Sequence, residues 1–337
     1  MTTGRQHGAV DRARGTARRV FYLLKPLIPR RVQIALRRAL VRAQRQRHLS
    51  VWPIDPTCDG RPDGWAGWPS GKRFALVLTH DVETIVGRER CLALQDVDRE
   101  LGFRSSFNFV PADYDVPDEL RARIVANGGE VGVHGLHHDG KLFSSWNTFR
   151  EAAARINVYL AQWGAVGFRA PAMHHDLEWI RHLDIEYDAS TFDTDPFEAQ
   201  PDGVGVVFPF WVPPAEGREG YVELPYTLPQ DFTLFTLMQE RSIDVWAGKL
   251  DWLAARGGMA LLDTHPDYMD FESGSPRLEE YPVRLYREFL SYVGHRYEGQ
   301  YWNALPRDVA RFWKQGVVGR PAHATAAAAG GNHGGRP

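Results

Sequence analysis

The chain has 337 residues, 43% hydrophobic and 12% aromatic, enough apolar material for one barrel-sized domain or two ordinary ones, which excludes a disordered polymer. Its formal net charge of -2 hides an asymmetry: residues 1–50 carry 13 basic side chains against Asp11 alone, which out of totals of 40 and 42 leaves 27 basic and 41 acidic residues over 51–337. An acidic body excludes nucleic-acid binding through clustered phosphate contacts, and two cysteines, Cys58 and Cys91, make neither a disulfide framework nor a thiolate zinc cluster, which fits a reducing compartment.

Residues 1–50 read as a basic extension whose first 18 or so residues are polar and disordered. Ala17-Arg18-Arg19-Val20-Phe21 looks like a twin-arginine export signal, but the apolar run stops at Lys25-Pro26 and no small-residue cleavage site follows, so a cytoplasmic location is expected. Arg31 to Arg47 has helical spacing, with Val32, Leu36, Leu40 and Ala43 on one side and arginines over much of the rest. Such a helix either docks on an anionic membrane or acidic partner, peripheral to the inner membrane face, or lies on the protein's own acidic body. Residues 51–72, rich in Trp, Pro and Gly, form a linker or outer wrap.

From residue 73 the rhythm is strand and helix in alternation. Arg73–Leu78 is a buried-type strand ending in Thr79-His80-Asp81-Val82-Glu83, and Arg88–Leu101 is a helix. Ser105–Val110 is a strand, Asp118–Ala126 a helix, Glu130–His134 a strand and Trp146–Trp163 a longer helix closed by Gly164. Val166–Arg169 is strand-like, His175–Leu183 helical and Ile185–Asp188 strand-like. Phe192–Pro214 is an irregular Pro, Gly and aromatic insertion, too long for a plain connection and suited to a binding wall. Tyr221–Leu224 and Met259–Asp263 are strand-like, Ile243–Ala255, Tyr281–Tyr292 and Arg307–Lys314 helical, and 318–337 is a low-complexity disordered tail. This alternation, some seven or eight β/α units over 73–317, predicts an α/β protein with a parallel barrel, whose chemistry belongs at the carboxyl ends of the strands.

Ionisable groups recur at those ends: Asp81 and Glu83, His134 to His138, Arg169, Asp193 and Asp195, and His265. His134 and His138 have the spacing at which two imidazoles converge on one metal if one helical turn lies between, and His137 rivals the second. No Glu follows His134, which rules out a His-Glu-x-x-His protease. Each group also has a plain structural explanation: histidines bonded to backbone, Arg169 in an ion pair, Asp193 and Asp195 as turn formers beside Pro196, His265 packing before Pro266. Their joint recurrence favours a site.

These stretches resemble the polysaccharide deacetylases related to the NodB chitooligosaccharide deacetylase, over roughly residues 73–268. LTHDVE at 78–83 is similar to the first motif of that family, HGLHH at 134–138 to the second, Arg169-Ala170-Pro171 to the third, Asp193-Thr194-Asp195 to the fourth and Leu261-Leu262-Asp263-Thr264-His265 to the fifth. The resemblance implies a distorted (β/α)7-type parallel barrel with one divalent metal, usually zinc, held by Glu83, His134 and His138. It implies Asp81 as the base that takes a proton from the attacking water and His265 as the acid that protonates the departing amine, with Arg169 keeping Asp81 ionised and Asp193 or Asp195 keeping His265 charged. This chain departs from the pattern at three places: Glu83 stands where Asp is usual, Gly135 where Ser or Thr is common, and Ala172 follows Pro171 in place of an aromatic residue, with His174 and His175 nearby.

The implied activity is metal-dependent removal of an N-acetyl group from an N-acetylated saccharide, lipid-linked or nucleotide-borne if it is met in the cytoplasm. The alternatives are an amidohydrolase of a small non-sugar amide and a catalytically silent sugar-binding barrel or scaffold, the last motivated by Glu83.

Overall fold

A computed structural model describes residues 28–272, 274 and 276–318; the expected disordered head, the arginine pair at 18–19 and the tail beyond 318 lie outside them. Helix α1 (Arg30–Arg45) leads to a segment of short 3-10 turns in which Trp52, Cys58 and Trp68 are buried and the Trp68 indole donates to Gly257 O. Strand β1 (Phe74–Val82) is buried along its whole length, as its apolar run requires of a strand covered on both faces. Then follow α2 (Ile85–Glu100), β2 (Ser105–Phe109), α3 (Asp118–Ala126), β3 (Glu130–His134), α4 (Trp146–Trp163), β4 (Gly167–Arg169), α5 (Leu177–Ile180) and β5 (Tyr187–Asp188). The second half adds β6 (Phe210–Val212), β7 (Tyr221–Glu223), α6 (Asp244–Arg256), β8 (Met259–Thr264), the short β9 (Met269–Asp270) and β10 (Tyr281–Pro282), α7 (Arg284–Arg296), β11 (Tyr301–Asn303) and α8 (Pro306–Val318).

The main sheet has nine strands in the order β11-β1-β2-β3-β4-β5-β7-β6, with β8 also paired to β1, and every pairing in it is parallel except β6 with β7. Beyond β7 the chain crosses to β8 through the Leu228 to Leu262 bridge, curling the sheet toward closure. The result is the expected distorted α/β barrel with an added N-terminal helix.

Local chemistry explains most boundaries. The Thr84 hydroxyl accepts from Val86 N at the start of α2, Ser145 accepts from Thr148 N at the start of α4, and Gly164 ends α4 in the left-handed conformation. The helix expected over 175–183 shrinks to α5: the Asp176 side chain accepts from Glu178 N and Trp179 N and sets its start, while His182 N and Leu183 N bond to Trp179 O and Ile180 O, three residues back, in a tightened last turn. The helix expected from Tyr281 begins at Arg284, since Tyr281 and Pro282 pair with β9 first. Within the 192–214 insertion lies one strand, β6, and residues 232–237, which sequence reading leaves unassigned, form a π-helical turn.

Candidate functional site

The parallel register brings side chains to one end of the barrel. Asp81 pairs across to Asn108 and Asn108 to Gly132, His134 pairs to Arg169, and Thr79 pairs to Asp263. Because strand side chains alternate, residues two apart share a face, so Thr79 and Asp81 of β1 point with Asp263 of β8 to one side. A methyl group on Gly132 would overlap Asn108 Oδ1, so the glycine leaves the amide room to reach Asp81.

Arg169 organises the floor. Its buried guanidinium donates from Nη1 to Asp263 Oδ1 (2.6 Å), Thr79 Oγ1 (2.8 Å) and Asp81 Oδ1 (3.3 Å), and from Nε to Ala189 O (2.8 Å). Asn108 Nδ2 also donates to Asp81 Oδ1, at 2.8 Å. Burial works to raise the Asp81 carboxyl, but His134, Arg169 and His265 outweigh it and hold it below the usual range. Burial lifts Asp263 well above that range despite Arg169, with the Asp81 charge adding to the effect. Of two carboxylates on one guanidinium, Asp81 is therefore the more acidic.

His134 is buried, and its Nδ1 faces Arg169 O at 3.1 Å and Asp81 Oδ2 at 3.4 Å. A carbonyl only accepts, so Nδ1 carries the proton and Nε2 keeps its lone pair. Burial pushes the ring down to about 4, which keeps it neutral, the state a metal ligand needs. Of its two rivals for the second position, His137 turns outward and bonds through Nδ1 to Asp113 Oδ1 at 2.6 Å, while His138 faces inward with its ring centroid 5.3 Å from that of His134. Asp113 separates them, because its other oxygen holds His138 N at 2.8 Å.

Glu83 is fixed from three directions. The Tyr268 hydroxyl donates to Oε2, Glu83 N donates to Asp267 Oδ2 at 3.0 Å, and Oε1 faces His138 Nε2 at 3.2 Å and His265 Nε2 at 3.8 Å. Its pKa is held well below the usual value: burial opposes this, and His138, His265 and Tyr268 prevail. Asp267 also accepts from Thr84 N, the Thr84 hydroxyl and Gly87 N, so the first turn of α2 is bound to the stretch that follows β8.

His265 departs from expectation in its partner. Its Nδ1 meets Asp231 Oδ1 at 2.7 Å, and the other oxygen of Asp231 takes His265 N at 2.8 Å and the Tyr281 hydroxyl at 2.9 Å. Burial disfavours a charge on the ring, yet Asp231, Asp263 and Glu83 raise its pKa well above the ordinary value. Asp193 and Asp195, expected to do this, are engaged elsewhere. Asp193 pairs with Lys249 Nζ at 2.5 Å, burial lifting it to about 6 against that cation. Asp195 accepts from the Tyr226 hydroxyl at 3.0 Å and from Phe197 N at 2.9 Å, and burial beside Glu198 lifts it to about 8. Backbone bonds from Asp193 N to Tyr226 O and from Gly205 N to Asp193 O hold their loop.

Asp231, Tyr268, Asp267, Asn108 and Thr79 escape sequence reading. The one signal for Asp231 is an acid opening the apolar run Phe232-Thr233-Leu234-Phe235. Asp263 stood inside the fifth motif, two residues from His265, and strand alternation could have marked it.

Two overlapping donor sets occupy this end of the barrel. Among the described residues, the one trio whose ligand atoms all lie within 4.8 Å of one another is Asp81, Asp263 and His265, a group able to hold a divalent ion. Glu83, His134 and His138 are not gathered to that limit. Three buried polar atoms around the site have no hydrogen-bond partner: His138 Nε2, Asp263 Oδ2 and Arg169 Nη2. His138 Nε2 thus lies near Glu83 Oε1 without the alignment of a hydrogen bond, at a separation that two ligands of one tetrahedral ion adopt.

No family model matches the chain, and no curated protein does. Solved structures match it in fold. A "putative polysaccharide deacetylase" from Mycobacterium smegmatis is 21% identical, with a TM-score of 0.55 over 75% of this chain and 94% of that one. Puue allantoinase is 17% identical, with a TM-score of 0.56 over 78% and 97%. A "probable polysaccharide deacetylase" from Pseudomonas aeruginosa PAO1 is 16% identical, with a TM-score of 0.55 over 74% and 93%. The chain thus has the polysaccharide deacetylase fold, in a divergent form.

Proposed function

We propose that this protein is a metal-dependent hydrolase that removes an acetyl group from an N-acetylated sugar or glycan precursor. The observation that carries the reading is the opposition of an ionised carboxylate, Asp81, and a proton-bearing imidazole, His265, whose polar atoms lie within 4.8 Å of one another at the strand ends. A divalent ion, zinc in our reading, fits Glu83, His134 and His138: Tyr268 fixes the carboxylate, His134 is neutral with Nε2 free, and His138 Nε2 lacks a partner. When bound it supplies Lewis-acid polarisation of the acyl oxygen and a lowered pKa for the nucleophilic water.

The chain's own groups carry the protons. Asp81, oriented by Asn108 and Arg169, takes the proton from water as the new C–O bond forms. His265 then gives its Nε2 proton to the amide nitrogen, which is too basic to leave as an anion, and the C–N bond breaks to acetate and amine. Asp231 stabilises the charge that His265 holds until that point. Arg169 Nη2, buried and unpaired, is a donor left for the substrate.

A second arrangement places the ion on Asp81, Asp263 and His265, supported by their proximity. Against it stands Arg169, whose guanidinium already bridges both carboxylates and would repel a second buried cation. A second substrate class, a small non-sugar amide, draws on the likeness to an allantoinase fold. A silent sugar-binding scaffold remains the non-enzymatic contrast. We place the protein in the cytoplasm, with a lipid-linked or nucleotide-borne saccharide as substrate, a location supported by two buried, unpaired cysteines.

Metal analysis coupled to acetate release over a panel of N-acetylated saccharides and small amides tests the metal, the reaction and the substrate class. The purified protein should hold one divalent ion, lose it in Glu83→Gln and His138→Ala, keep it in Asp263→Asn, and lose about 10²-fold or more in rate in Asp81→Asn. Metal lost in Asp263→Asn but kept in Glu83→Gln selects the other donor set; a metal-free protein with no hydrolysis selects the scaffold.

A further inference from the structure

Helix α1 lies on the barrel the opposite way round from an ordinary surface helix, which turns its apolar stripe inward. Two apolar side chains, Ile34 and Val41, are buried, beside Phe232 and Leu237. The rest of its inner side is polar: Arg38 donates to Thr236 O and Leu278 O, Arg30 pairs with Glu279, Arg45 pairs with Glu240, and Arg37 lies over the Phe232 ring at 5.0 Å. The side turned to solvent is apolar. Val32, Leu36 and Leu40 are 46%, 59% and 56% exposed, on one row at four-residue spacing, with exposed Ala35, Ala39 and Ala43 alongside. Arg31, Arg42 and Arg47 are exposed with it, and none has an ion-pair partner among the described residues.

We propose that this outward face docks the protein peripherally on the surface of an anionic phospholipid bilayer. Apolar side chains on the outside of a helix gain nothing from water, and a row of them with cations at its edge suits an interfacial helix, its apolar face below the headgroups and its arginines among the phosphates. The charge pattern selects lipid phosphate: residues 1–27, which lead into α1, carry six basic side chains against Asp11 alone, while the remainder of the chain beyond residue 50 is acidic. No described helix is long and apolar enough to cross a membrane.

The position of α1 deepens the reading of the site, on which this part rests. The helix packs against Tyr268 through the same small cluster, and Tyr268 holds Glu83. Attachment through α1 therefore sets the candidate site beside the lipid surface, which favours a saccharide carried on a lipid over a free nucleotide sugar.

The test is co-sedimentation of the full chain with phosphatidylglycerol or phosphatidylcholine vesicles at low and high salt. Binding to phosphatidylglycerol should fall steeply with salt. It should fall about 10-fold or more in Leu36→Glu/Leu40→Glu and in Arg42→Glu/Arg47→Glu, and rise in Leu36→Trp. The leucine variant should release acetate from a water-soluble substrate as the parent does, so that loss of attachment and failure of the hydrolase reading are read separately. Equal binding by the parent and the leucine variant, equal binding to both lipids, or no binding by the parent overturns the proposal. So does a lipid-independent dimer that Leu36→Glu/Leu40→Glu dissociates, since a second copy would then cover the face.

Discussion

Three acids bear on what the His265 imidazole can do: Asp231 bonds its Nδ1, and Glu83 and Asp263 lie across from its Nε2. Because Asp231 raises the pKa of the ring, the proton is held to higher pH than a free imidazole would hold it. Asp231→Asn keeps the shape but removes the charge, so the alkaline limb of the pH–rate profile should move to lower pH, with about 10²-fold lost near neutrality. A uniform loss with unmoved limbs would reduce Asp231 to a structural part. The contrast with Asp193 shows what sequence can reveal at this scale. Asp81, Glu83, His134, Arg169 and His265, which the fold brings to one end of the barrel, stood out in the sequence because each lies at or just beyond the end of an apolar strand. The partner of His265 was not, since 34 residues separate it from Asp231 and only the path of the chain after β7 joins them.

Glu130 illustrates the element scale. It starts β3, and its buried carboxyl accepts from the Tyr187 hydroxyl of β5 and from Arg307 N in α8. Burial lifts it to about 7 against these donors. An acid whose folded pKa is raised makes its full contribution to stability below the unfolded pKa, near 4.5, and loses it as pH climbs toward 7. Stability to urea should therefore decline across that window by up to about 3 kcal/mol, and Glu130→Gln, which keeps an acceptor without a charge, should flatten the decline. Identical slopes for both proteins between pH 5 and pH 8 would remove the carboxyl from the account. Elements with strong periodicity were placed well from sequence, α3 and α4 at the bounds observed. One started late by a neighbouring strand, as α7 is by β9, has a boundary that no local window contains. For α1 the helix was legible, but which face would pack on the barrel was left open: its apolar row faces outward, because arginines find carboxylates and carbonyls on the barrel.

At the scale of the molecule the site is a junction, since Glu83 follows β1, His134 ends β3 and His138 lies beyond it, while Tyr268, which holds Glu83, comes after β8. An ion bound there links separate parts of the barrel and stabilises only the folded chain. Zinc at about 100 times its dissociation constant should add about 2.7 kcal/mol to unfolding. The matching rise in Tm should vanish with a chelator and be missing in Glu83→Gln; a rise undiminished in that variant would put the ion elsewhere. The barrel itself was legible from its alternation, whereas its closure through Leu228 and Leu262 rests on a single bridge with no sequence signature. The same topology bears on synthesis. β1, which carries Asp81, is among the first strands to leave the ribosome, yet its neighbours β8 and β11 are translated only at 259–264 and 301–303. The nascent chain must keep that apolar strand from wrong partners until β8 and β11 have emerged, so the candidate site comes together only after a long stretch of further synthesis.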